Sequence, residues 1–338
     1  MQIYAAKNNN RMVLRNSSSG GIFVPLSDEV LRMQGAVVCS SYDFGSNRMR
    51  FSLITDVNAR DNAIGSKYMQ SDAGTVFCDS KKWLLEHPEG IILFVGTGCQ
   101  VAAYLCYMKQ NGLSDRIVTV DLICSGVPSP VVWKKYAELL MYRHKGEITY
   151  LTFKDKTDGW SHPRKYIEID GKKIDIRSYC KTYSRNYIFR PSCHCCPYTT
   201  MKRQTDITIG DFWGVKERLP SVYTEDGVSV VFVHTKKGQE LFERIKAEVN
   251  ICEIDSETCK QPRLLSPSEA NSERENWWRD YHTKGAEYTL RHYSSDGAWK
   301  DIKRKVKKIL GGGYLRQSLA VLICVIVSPE GRWRKCLG

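Results

Sequence analysis

Residues 90–112, GIILFVGTGCQVAAYLCYMKQNG, decide how the chain folds. Ile91 to Val95 is an unbroken apolar run, the signature of a strand buried on both faces. Gly96-Thr97-Gly98 reads as a tight turn, and Cys99 to Gln110 has helical periodicity that stops at Asn111-Gly112. The next stretch repeats the plan, with a strand at Ile117 to Ile123, a loop at Cys124 to Pro130 and a helix to about His144. Strand–helix alternation of this kind argues for parallel strands joined by right-handed crossovers.

Working outward, residues 16–44 read as loop, helix and strand, and residues 48–56 as another strand. After Glu147 the style changes. Residues 148–160 and 165–176 look like hairpin material, the second with an Asp-Gly turn. Residues 205–214 and 228–235 are further strands, and residues 236–249 form an amphipathic helix. The expected fold is therefore α/β, a mixed, largely parallel sheet flanked by helices, with an antiparallel, hairpin-rich second half and a basic C-terminal tail. The expected divisions are 1–147, 148–298 and 299–338.

The 338 residues are 42% hydrophobic and 26% charged, an ordinary globular balance. The net charge is +13, but from Trp299 onward there are ten Lys/Arg against two Asp/Glu, leaving only +5 for the rest. The excess sits in the tail and not in a groove, and no DNA-reading motif is present, so no nucleic-acid partner is expected. The tail's apolar run, Leu319 to Val327, is too short to span a bilayer. It reads either as a solvated end or as peripheral attachment to an acidic membrane surface on the inner face. The first residues lack the apolar core of an export signal, so a cytoplasmic, reducing location is expected for the 13 cysteines.

Three of those cysteines crowd into RPSCHCCPY (190–198). Cys193 and Cys196 make a C-x-x-C pair on a loop bounded by prolines, a spacing that grips one tetrahedral metal or two irons of a cluster. Cys195, between them, cannot easily point the same way. Two thiols are half a site, and the chain has no second C-x-x-C. Cys99 and Cys124 each lie just past the C-terminal end of an expected parallel strand, one strand–helix–strand step apart. In a parallel sheet such ends share one edge, where ligands bind. The other reading makes them small buried hydrophobes, but Gly96, Gly98, Gly126, Pro128 and Pro130 make both surroundings loop-like. Cys39, Cys78, Cys106, Cys180, Cys252, Cys259 and Cys324 have no such context, and Cys106, two turns along the helix from Cys99, is a reserve ligand. Four thiolates suit a structural zinc as well as iron. His162 and His194 are assigned no catalytic role, and no catalytic residue is assigned.

NSSSGGIF, GSKYMQSD, GTGCQVA, VDLICSGVPSP, FKDKTDGW, RPSCHCCPY and TDITIGDFWG follow one another in an order similar to that of the family of coenzyme F-420 hydrogenase/dehydrogenase beta subunits. That family includes flavin-bearing subunits of deazaflavin-reducing hydrogenases and of formate dehydrogenases, and 7-hydroxymethyl chlorophyll a reductase. The resemblance covers roughly Tyr4 to Val249. It implies an oxidoreductase with FAD and a 4Fe–4S cluster, with Cys99, Cys124, Cys193 and Cys196 matching the family's cluster-associated cysteines. It implies a redox partner such as a ferredoxin or other electron carrier, and a small-molecule substrate. Two positions depart from the pattern: Gly98 stands where a proline is expected, and Ser125 where a histidine is expected.

The resemblance also gives the flavin candidates. Ser18, Ser19, Gly20 and Gly21 would open a helix with hydroxyls, free N–H groups and the helix dipole, an anion pocket; by themselves they read as a plain N-cap. Gly65, Ser66, Lys67, Tyr68, Gln70 and Ser71 supply a flexible glycine, a cation and a flat ring, or else a solvated loop. Gly96 and Thr97 lie in the turn before Cys99. Asp211, with Asp206 and Trp213 at a strand end, lines the flavin pocket or caps the C-x-x-C loop.

Overall fold

The computed structural model describes residues 1–295. The tail expectation, 299–338 with its membrane contact, lies outside these residues. In chain order the first half comprises β1 (Gln2–Asn8), α1 (Arg11–Asn16), α2 (Phe23–Arg32), β2 (Ala36–Asp43), β3 (Arg48–Ile54), α3 (Val57–Asp61), β4 (Ser71–Asp72), α4 (Val76–Glu86), β5 (Ile92–Thr97), α5 (Gly98–Gln110), β6 (Ile117–Leu122) and α6 (Pro130–His144). There follow β7 (Ile148–Asp155), β8 (Arg164–Ile169), β9 (Lys172–Asp175), α7 (Arg177–Ser184), β10 (Ile207–Asp211), α8 (Val215–Arg218), β11 (Ser229–Val233), α9 (Lys236–Ile245), β12 (Val249–Glu253) and α10 (Arg274–Tyr293).

Nine strands form one sheet in the order β12-β1-β11-β10-β6-β5-β2-β3-β4. Its centre, β10-β6-β5-β2, is parallel, and antiparallel strands flank it on both sides. The apolar runs of the parallel strands are buried on both faces because helices cover both. On one face Val37, Leu93, Val95 and Val120 meet Leu26 and Val30 of α2 and Leu241 and Phe242 of α9. On the other, Ala36, Val38, Ile92 and Phe94 meet Leu84 of α4 and Val101, Tyr104 and Met108 of α5. The alternation along each strand is the period-2 pattern that a two-sided core demands.

β7, β8 and β9 make a separate antiparallel sheet. Its β8–β9 hairpin turns at Asp170-Gly171, both with positive φ (49° and 71°), the backbone that a tight Asp-Gly hairpin needs. A second core, built on Trp133, Tyr179 and Trp277, joins this sheet to α6, α7 and α10. Among the described residues no helix is long and apolar enough to cross a membrane.

Two expectations change. β5 runs on through Gly96 and Thr97, and α5 starts at Gly98, so the expected three-residue turn has no length of its own. Gln100 makes this possible: its Oε1 accepts from the Thr97 N–H at 2.9 Å and closes the helix start. Second, the large sheet takes strands from both sides of residue 147, with β1 seated between β11 and β12. Glu147 therefore marks a change of style within the chain and not a break in the sheet.

Candidate functional site

Two cavities meet at the C-terminal ends of the parallel strands. The larger, about 610 Å³, falls in the range of small-molecule and cofactor sites. Val95, Gly96 and Thr97 at the end of β5, Leu122 at the end of β6 with Ile123 and Cys124 after it, and Ile209 to Asp211 of β10 form its floor. Two loops close it, one bearing Ser17, Ser18, Ser19 and Gly21, the other Gly65, Ser66, Lys67, Tyr68, Met69 and Ser71.

Eleven of the thirteen expected flavin positions line this cavity, and Gly20 and Gln70 do not. Gly20 is turned against the sheet: its N–H donates to Ser229 Oγ at 2.9 Å and its carbonyl accepts from the Asn8 N–H at 2.7 Å. Gln70 sits between Met69 and Ser71, which both line the wall, and points elsewhere. The serines also do different work from that expected. α2 begins at Phe23, and its N-cap, Ile22, contributes no side-chain bond. Ser19 Oγ instead donates to the Val228 carbonyl (2.8 Å), and Ser18 Oγ accepts from the Ser66 N–H (2.6 Å). The serines thus tie the two loops and the sheet together, which leaves the first turn of α2 without a side-chain cap.

Lys67 lines the wall, but its ammonium already donates to the carbonyls of Asn62, Ile64 and Gly65 at 2.9–3.2 Å. Burial pulls it down to about 8. The charge that the sequence hid is Lys154, which pairs with Asp211 and is also hydrogen-bonded to Tyr68. Burial works to lower this lysine, and Asp211 and Tyr68 outweigh it, so it is held above its usual value. Trp213, half exposed at the cavity edge, stacks on buried Trp160 (5.6 Å, 8°). Cys39 also lines the cavity, its thiol pushed up to about 12 by burial, a placement its strand context did not reveal. Asp206 is structural: it accepts from the Thr119 N–H and hydroxyl at 2.8 and 2.9 Å.

The second cavity is small, about 30 Å³, and is lined by Cys99, Cys124, Cys193 and Cys196. Cys99 lies in the first turn of α5, Cys124 two residues past β6, and Cys193 in the short turn Pro191–Cys195. The loops are stitched by Ser129 N–H to the Ile188 carbonyl (2.8 Å) and Arg190 N–H to the Val127 carbonyl (2.9 Å). The Val127 N–H donates to Cys193 Sγ at 3.3 Å. Close approach needs small residues: a Cβ on Gly98 would stand 2.9 Å from that of Tyr198, and one on Gly126 would stand 2.4 Å from the Phe189 ring. That explains glycine before Cys99. Cys195 is exposed, bonds to the Ser192 carbonyl and stays off the pocket, and Cys106 lies exposed on α5.

Among the described residues, no three His, Cys, Asp or Glu side chains converge on a single ion position; the four thiols ring a void. Burial pushes Cys124 up to about 12, opposed by the Gly126 N–H and reinforced by Cys193, Cys99 and Cys196. Sequence reasoning also missed Arg203 on this wall. Its Nη1 donates to Asp121 Oδ2 at 2.7 Å and its Nε to the Thr200 carbonyl at 2.8 Å, while Nη2 is buried without a partner. No local pattern around 203 marks it, because its partner is 82 residues upstream.

The sequence profile for the carboxy-terminal part of coenzyme F420 hydrogenase/dehydrogenase beta subunits matches residues 90–257, which hold all four pocket cysteines and Asp211. One component of the F(420)H(2) dehydrogenase of Methanosarcina mazei is 27% identical over 166 residues, 48% of this chain and 41% of the relative. The chain thus matches about two fifths of that relative's length. A chain of the F420-reducing [NiFe] hydrogenase complex from Methanosarcina barkeri aligns over 92% of this chain and 93% of its own, at 16% identity and a TM-score of 0.49. The profile match places residues 90–257 of this chain in the family of coenzyme F420 hydrogenase/dehydrogenase beta subunits.

Proposed function

We propose that the chain is a flavin- and iron–sulfur-dependent oxidoreductase, with FAD in the large cavity and a 4Fe–4S cluster on Cys99, Cys124, Cys193 and Cys196. The observation that carries this reading is the shared wall: Thr97, Cys124, Ser125, Gly126 and Val127 border both cavities. Groups bound on its two sides would stand one residue apart, within easy electron-transfer reach.

The residues present fit both groups. Four thiols from three segments supply a complete cluster ligand set, and Arg203, whose Nη2 is buried without a partner, lines a pocket that would carry negative charge. When bound, the flavin supplies two-electron chemistry with a small-molecule substrate, and the cluster passes single electrons to an outside carrier such as a ferredoxin. At one end of the cavity, the uncapped N–H groups of α2 beside Ser17 to Ser19 suit a pyrophosphate. Val95, Leu122, Ile123 and Ile209 offer an apolar bed for a flat ring system. Lys154, pinned by Asp211 and Tyr68 of the cavity wall, keeps a buried positive charge next to that wall and favours added electron density there.

Anaerobic purification tests the reading, with the visible spectrum recorded before and after dithionite and with FAD, iron, sulfide and zinc assayed. Flavin bands over a broad, dithionite-bleached absorption, with iron and sulfide in equal amounts, are expected. A colourless protein with stoichiometric zinc overturns it in favour of a structural four-cysteine zinc site.

A further inference from the structure

Behind the cysteine pocket runs a buried polar chain with one open end. His234 Nε2 lies 2.8 Å from Thr208 Oγ1, and the Thr208 hydroxyl donates to Asp121 Oδ1 at 2.5 Å. That hydroxyl has one proton, so His234 is the donor to Thr208. Asp121 Oδ2 accepts from Arg203 Nη1, and the two side chains are only 2% and 4% exposed. Arg203 is therefore fixed at two corners of its planar fork, Nη1 on Asp121 and Nε on the Thr200 carbonyl. A rigid fork held at two corners has no freedom left at the third. That third corner, Nη2, is buried, has no partner, and belongs to a side chain lining the four-cysteine pocket. Folded proteins seldom leave such a group unsatisfied unless a ligand or water completes it.

We infer that Arg203 Nη2 donates to a sulfur of the metal group held by Cys99, Cys124, Cys193 and Cys196, and that this bond makes the group easier to reduce. The inference rests on the cluster reading above and adds a tuning residue to it. Reduction adds one electron, supplied by the external reductant, and no proton moves, because a guanidinium stays protonated throughout. The added negative charge strengthens an N–H to sulfur bond, so the reduced form gains more from Arg203 than the oxidised form. Asp121 offsets the arginine's charge at a distance, so what reaches the sulfur is a short-range, directional effect. Asp121 is the positioning residue and Arg203 the donor.

The test is a redox titration of the iron-loaded protein, followed by its visible absorption, for the native chain and two variants. Arg203→Lys keeps a charge for Asp121 but loses the fork's third corner. The double variant Asp121→Asn with Arg203→Gln removes both charges together and strands neither. Both are expected to retain iron and to require a lower potential for half-reduction. At the native midpoint the ratio of reduced to oxidised protein should fall about tenfold, about 59 mV for a one-electron couple. An arginine with a merely structural role would lower stability or iron content and leave the midpoint of the retained iron in place. Retained iron with a midpoint moved less than threefold in that ratio in both variants overturns the inference and leaves the cluster reading standing. A native protein that binds no iron overturns both. If the double variant does not fold, the lysine variant decides by the same criterion.

Discussion

The large cavity is walled by loops that bond to one another, whereas the cysteine pocket is walled by four thiols and an arginine with one corner left unbonded. Around the cavity, Ser18 is tied to Ser66, Ser19 to Val228, Lys67 to three carbonyls and Lys154 to Asp211. Around the pocket, the thiols of Cys124 and Cys193 are raised by burial, and Arg203 Nη2 has no partner. The difference teaches where each region spends its stability. Damage to the cavity wall should appear as lost folding energy, and damage to the pocket as lost metal.

The sharpest way to break that comparison is at the ligands. Cys196→Ser should lose most of its iron and sulfide after anaerobic loading, whereas Cys195→Ser, whose thiol stays off the pocket, should keep both. Equal loss from the two variants would mean that the pocket does not define the ligand set. Next comes Lys154→Met on the cavity side, which leaves Asp211 buried and unpaired. Removing one partner of a buried pair costs about 3–5 kcal/mol, readable as a lower urea midpoint, while iron per folded chain stays unchanged. A change below about 1 kcal/mol would mean that this pair is well solvated.

Gly98→Ala sharpens the boundary between the regions. Its Cβ would press on Tyr198 beside the cysteine loop, an overpacking worth about 1–3 kcal/mol. It should weaken both stability and iron retention, and an effect on stability alone would place Tyr198 outside the metal loop's support. The smallest effect concerns acid. Burial holds His234 down at about 4, against an unfolded value near 6.5. Its contribution is therefore fully present above pH 6.5 and is lost as pH falls from 6.5 towards 4. Since His234 is part exposed, this amounts to about 1 kcal/mol. Denaturant midpoints across that window should show the loss in the native chain and a shallower slope in His234→Gln; parallel slopes would remove His234 from the chain behind the pocket.

Much of this arrangement was legible in the chain. The apolar runs at 91–95 and 117–123 call for strands covered on both faces, and their spacing requires a helical crossover. Those two facts place Cys99 and Cys124 on one edge of the sheet. β1 was not legible. Gln2–Asn8 is short, and it becomes a strand by pairing with residues more than 220 positions away. The serine loop was misread for a related reason: its hydroxyls had a good local use as a cap, but Val228 and Ser66 offered better-placed partners across the fold.

Sequence alone determined the periodicities, the turn chemistry and the supply of thiols, because each depends on residues within a few positions of one another. It therefore determined the parallel sheet and two halves of a thiol site. Tertiary structure decided that the halves meet, that Cys124 borders both cavities, and that Lys154 and Arg203 stand where charge matters. Burial and long-range pairing set those properties, and a lysine or arginine carries no local mark of the carboxylate it will meet once water is excluded.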